Sequence, residues 1–83
     1  MIEHVQLTAP EKAIAELVMC GLSNREIAMK TDQGYGTLNR QMTVIYHKLG
    51  LDEDCDISPI ATRMKLALTL YQRRAELGLH FIG

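Results

Sequence analysis

Arg40, Thr43 and His47 stand three and four residues apart, a spacing that sets three hydrogen-bonding side chains on one face of a helix. Gly36 and Val44 share that face, with Asn39 on one flank and Thr37 and Gln41 on the other. Its small and polar side chains suit close approach to another surface. The remaining reactive residue types do not assemble into a centre. Thr43 and Ser23 have no His and acid partner by pattern, so neither reads as a nucleophile. His4, His47 and His80 are far apart without the i,i+4 pairing of a metal site, which assigns them to surface or packing roles. The acids of 52–56 lack the alternating ligands and central Gly of a calcium loop and read as a solvated loop. Gly34-Tyr-Gly36 has no strand before it and no Lys-Ser/Thr after it, so it is a turn and not a phosphate cradle. Cys20 and Cys55 match no C-x-x-C spacing and read as two free thiols. No catalytic residue, metal or cofactor is expected.

The polar face needs a rod behind it. At 100° per residue along 37–50, Leu38, Met42, Ile45 and Leu49 fall within about 60° of one another, a buried stripe opposite Arg40, and Gly50 ends the helix. Upstream, Thr8-Ala-Pro-Glu11 is a capping box with proline in the first turn, opening a helix over about 9–20. Ala13, Ile14, Leu17 and Val18 give that helix its buried face, and Gly21 is placed to stop it. Ser23-Asn-Arg-Glu26 repeats the capping box ahead of a brief helix whose core positions are Ile27 and Ala28. Only Gly21-Leu22 separates the two, which demands a sharp angle between them.

Downstream of the acidic loop, Ser58-Pro59 caps the longest helix, an uninterrupted run to about Leu77. It carries two apolar stripes. Ile60, Met64, Leu68, Tyr71 and Ala75 form one, and Leu66, Leu70 and Leu77 form the other, roughly 120° away or more. One stripe serves the core; the other is covered by the apolar tail 79–82 or by a second protein. No internal repeat, low-complexity segment or strand-like alternation interrupts this pattern. The expected fold is all-α, four helices with an extended C-terminal helix, as a single domain over 1–83.

With 83 residues the chain is about one small domain, near the size where a single core is marginally stable. A pocket of roughly 300 Å3 with convergent acid and base groups is hard to build in it, which argues against an enzyme. Hydrophobic residues at 47% and charged residues at 23% are ordinary for a chain that folds. No stretch approaches the roughly 18 to 20 apolar residues of a membrane span, and MIEHVQLT lacks the start of a secretory signal, so a cytoplasmic location without a membrane partner is expected. The net charge of −1 conceals segregation. Residues 23–51 carry Arg25, Lys30, Arg40 and Lys48 against Glu26 and Asp32, a balance of +2. Residues 58–83 carry Arg63, Lys65, Arg73 and Arg74 against Glu76, a balance of +3. The central basic segment is the part fitted to a polyanion, but its field is weak unless two copies pair.

Leu7-Thr-Ala-Pro-Glu11, Gly21-Leu-Ser-Asn-Arg-Glu-Ile-Ala28, Thr37-Leu38 and Lys48-Leu-Gly-Leu51 follow one another with the spacing of a known family. Over residues 7–51 the chain resembles the DNA-binding domain of the LuxR-type (GerE/NarL-type) transcription regulators. The resemblance implies a four-helix helix-turn-helix fold in which the third helix enters the major groove and the fourth, here about 58–78, makes a dimer. By position it assigns Thr37 to a phosphate, Leu38 to the core, and Asn39, Arg40 and Thr43 to base edges. The Arg40 fork suits guanine O6 and N7. Arg25, at the start of the second helix, would meet a phosphate. Apart from the resemblance, His47 is placed to touch a phosphate, and Tyr35 reads equally as lying against backbone phosphates or as a packing residue. Asn39 replaces the family's usual lysine, Gln41 a histidine, Gly34 a capping serine, Gln33 an apolar residue and Pro10 an arginine-like position. These changes remove positive charge and lower the number of phosphate contacts.

The implied function is a stand-alone, sequence-selective DNA-binding transcription regulator. Its partners are double-stranded DNA and a second copy held at Leu66, Leu70 and Leu77. Pairing would set two third helices about one turn of duplex apart. The alternative is a helix-turn-helix relic that modulates another regulator or RNA polymerase as an anti-activator or adaptor, binding through Val44 and the second stripe. The loss of lysine at 39 favours it. The promoter-reading domain of sigma factors is a more distant likeness.

Overall fold

Thr8 opens the first helix as expected: its Oγ1 accepts from Glu11 N at 3.3 Å, and Glu11 Oε1 accepts from Thr8 N at 2.9 Å. The computed structural model describes residues 6–51 and 59–79; His4, Cys55, the acidic loop 52–56, the Ser58 cap and the tail residues 80–82 lie outside them. α1 spans Ala9–Met19 and buries Ile14, Ala15 and Val18. Beyond it, Gly21 takes φ +89, its N–H donates to Val18 O at 2.9 Å, and Leu22 N donates to Leu17 O at 3.2 Å. This left-handed closure satisfies the terminal carbonyls and turns the chain at once into the next cap.

α2 spans Asn24–Lys30 behind the second capping box, with Ser23 Oγ accepting from Glu26 N at 3.2 Å and Glu26 Oε1 from Ser23 N at 2.9 Å. It ends in the same closure, with Asp32 rather than glycine at φ 55. α3 spans Tyr35–Lys48 and begins two residues earlier than the stripe alone suggests. Its cap is Gly34, which offers no side-chain acceptor, so no residue type announced the start. Leu38, Met42, Ile45 and Leu49 are buried, as the periodicity requires.

The fourth helix differs from expectation in two ways. It is not continuous: α4 spans Pro59–Gln72, Arg73 leaves helical geometry at φ −107 and ψ 16, and a short α5 spans Arg74–Leu77. Redirecting the last turn brings both Leu77 and Leu79 into the core. The stripes are also exchanged. Leu66, Leu70 and Leu77, expected as a dimer seam, are 0%, 0% and 3% exposed within the single chain. Ile60, Met64, Leu68 and Tyr71 lie outward at 74%, 68%, 57% and 47%. Tyr71 explains part of the choice, because its ring stacks under Arg74 with the guanidinium 4.2 Å from its centroid, an arrangement made at a wet surface.

The five helices among the described residues join in one core. α1 packs on α2, α3 and α4, while α2 lies along α3. Among the described residues there is no strand. Glu11 ties the core's rim together: Lys48 Nζ, at the end of α3, donates to Glu11 Oε1 at 2.7 Å and to Gln6 O at 3.2 Å.

Candidate nucleic-acid interface

α3 hides one side and offers the other. Tyr35, Thr37, Asn39, Arg40, Thr43 and His47 are all exposed along it, with Val44 among them. Arg25 is exposed in the first turn of α2. Neither Arg25 nor Arg40 makes an ion pair or hydrogen bond among the described residues, so both guanidinium forks are available to a ligand. Tyr35, Gly36 and Thr37 occupy the first turn of α3, where no acidic residue and no side-chain cap compete for the amides.

Two expected contacts are constrained by neighbours. Thr43 Oγ1 donates to Asn39 O at 3.0 Å, which leaves its methyl group and an acceptor lone pair for a partner. Asn39 Oδ1 accepts from Asn24 Nδ2 at 3.4 Å, linking α3 to the first residue of α2. Lys48 contributes less to the basic surface than its charge suggests, because it is committed to Glu11.

Arg63 joins this surface without any mark in the sequence. From α4 it donates through one guanidinium nitrogen to Asn24 Oδ1 and through the other to Leu22 O, in the turn between α1 and α2. The bonds cross 39 and 41 residues, and no local pattern signals them. Beside it, burial pushes the Tyr46 hydroxyl above its ordinary pKa, with the positive charge of Arg63 opposing that rise. Gln33 and Gln41 also behave unexpectedly. Gln33 Nε2 donates to Thr31 Oγ1 at 2.8 Å, but its Oε1 and the Oε1 of Gln41 are buried without a hydrogen-bond partner among the described residues.

Other features offer less chemistry. An open depression of about 380 Å3 lies away from this face, between the N-terminal segment and α5, lined by Gln6, Leu7, Lys12 and residues 75–78. Its carboxylate, Glu76, is already paired with Arg73 at 2.6 Å. Among the described residues no cluster of His, Cys, Asp or Glu could hold a metal ion, and no helix is long and apolar enough to cross a membrane. No family model, curated protein or solved structure matches the chain.

Proposed function

We propose that the protein is a sequence-selective DNA-binding transcription regulator that lays the outer face of α3 in the major groove. The observation that carries this reading is the division of α3: Leu38, Met42, Ile45 and Leu49 buried, and Asn39, Arg40, Thr43 and His47 outward with the Arg40 fork unengaged. A groove-reading helix needs one face anchored and the other clear of its own protein. The capped, short α2 packed along α3, and the motif resemblance to LuxR-type domains, support a helix-turn-helix arrangement. Two copies would pair through Ile60, Met64, Leu68 and Tyr71, the apolar face that the core leaves open.

The test is fluorescence anisotropy against a pool of duplexes over a salt series. Affinity should fall with salt by a logarithmic slope of about 0.9 per phosphate contacted. Arg40→Ala should weaken selected sites by about 1–3 kcal/mol. Affinity indifferent to both refutes the reading.

Val44 favours a second reading, since an apolar side chain on the polar face suits a protein partner. In that case the chain binds another regulator or RNA polymerase without nucleic acid, and Val44→Asp abolishes the complex. Leu70→Asp is no probe of such a surface, because Leu70 is buried in the core.

A further inference from the structure

Arg63 has only donors to offer, because a guanidinium carries five N–H groups and no acceptor. Whatever faces it must accept. Asn24 therefore turns Oδ1 toward Arg63 and Nδ2 away from it, and Leu22 O receives the second nitrogen of the fork. The outward Nδ2 donates to Asn39 Oδ1 at 3.4 Å, a contact at the protein surface. The Nδ2 group of Asn39 is left facing away, bonded to no described residue. Thr43 does not disturb this order, since its hydroxyl donates to the Asn39 backbone carbonyl and not to the carboxamide.

We infer that Arg63 and Asn24 are positioning residues that pass hydrogen-bond polarity from α4 to α3, so that Asn39 meets a base edge as a donor and favours guanine over adenine. The inference rests on the DNA-binding reading and specifies its chemistry. Bidentate recognition of adenine by asparagine needs Oδ1 to accept from N6 while Nδ2 donates to N7, whereas guanine presents two acceptors, N7 and O6. Asn39 turns its Oδ1 toward α2, where Asn24 takes one of its lone pairs, and its Nδ2 donors the other way, an orientation that matches guanine. Arg40, the next residue, is likewise a pure donor suited to guanine.

Asn24→Asp tests the relay. The aspartate keeps the shape of asparagine and sits at the first position of α2, where negative charge complements the helix dipole. With two acceptors it takes the Arg63 bond and also claims Nδ2 of Asn39, turning the Asn39 carbonyl outward. The experiment is selection from a randomised duplex library by the full chain, its Asn24→Asp variant and its Asn39→Ala variant, with thermal melts confirming that each is folded. The base pair read by Asn39 is the one whose preference disappears in Asn39→Ala. There the unaltered chain should enrich guanine over adenine by about fivefold or more, and Asn24→Asp should reverse the preference toward adenine or cytosine, whose exocyclic amino groups donate. Enrichment of adenine by the unaltered chain, an unchanged base in Asn24→Asp, or no base pair sensitive to Asn39→Ala overturns the relay while leaving DNA binding intact. Absence of salt-dependent binding to any duplex overturns the DNA-binding reading and the relay together.

Discussion

Lys48 and Glu11 meet at 2.7 Å, joining the last turn of α3 to the first turn of α1 across 37 residues of chain. Glu11 holds two tasks in one oxygen, since Oε1 also accepts from Thr8 N at 2.9 Å. Burial alone would raise its pKa, but the Lys48 and Thr8 hydrogen bonds outweigh that and hold it below the usual carboxylate range.

A group whose pKa is lower in the folded chain stabilises it above the unfolded pKa, and that stability is lost as pH falls through the folded value. Thermal melts from pH 7 downward should therefore show the melting temperature declining as the solution passes below about pH 4.5, the ordinary value for the group. Glu11→Gln should lower stability by about 1 kcal/mol at neutral pH, or roughly 4–8 °C in Tm for a domain of this size. It should also flatten the acid limb of the melt series. An unchanged acid limb would show that other carboxylates set it.

Asp32 occupies the left-handed position after α2 at φ 55, where Gly21 and Gly50 serve the same closure after α1 and α3. An L side chain is strained there, though less for aspartate than for most. Asp32→Gly should raise stability by about 0.5 kcal/mol, whereas Gly21→Ala should lower it by about 1 kcal/mol. Paired chemical denaturation curves with equal slopes would measure both changes.

Gln41 buries an Oε1 that no described residue satisfies. An orphaned buried acceptor costs about 1–3 kcal/mol, so Gln41→Leu, which removes it at similar volume, should stabilise the fold by about 1 kcal/mol. A lower Tm for this variant would mean that the amide is satisfied in solution.

Leu70 and Leu68 stand two residues apart on opposite sides of α4, one buried and one exposed. Leu70→Ala should cost about 2–5 kcal/mol through the lost packing and the cavity left behind. If two copies pair through the outer face of α4 as proposed, Leu68→Asp should leave the helical content unchanged and shift sedimentation to a monomer. Equal oligomeric mass for the two would remove the outer face of α4 as the seam.

The capping boxes at Thr8 and Ser23, the glycine closures at Gly21 and Gly50 and the buried stripe of α3 were legible in the residues, and so was the outward set of Asn39, Arg40, Thr43 and His47. Each is built from successive groups no more than five positions apart, and helical geometry fixes such neighbours without help from the rest of the chain. No residue type marks the start of α3 at Tyr35, because Gly34 caps by conformation alone; only the resemblance, which sets Gly34 at a capping position, points to it. Tertiary packing decided which face of α4 is core, because two stripes of similar hydrophobicity satisfy periodicity equally and only the surface of α1 selects between them. It also brought Arg63 to Asn24 and Lys48 to Glu11, contacts between residues that approach only when the helices stack. Local sequence determined the helices and the polar face of α3; the fold decided how its asparagine is turned and which of its positive charges remain available to a partner.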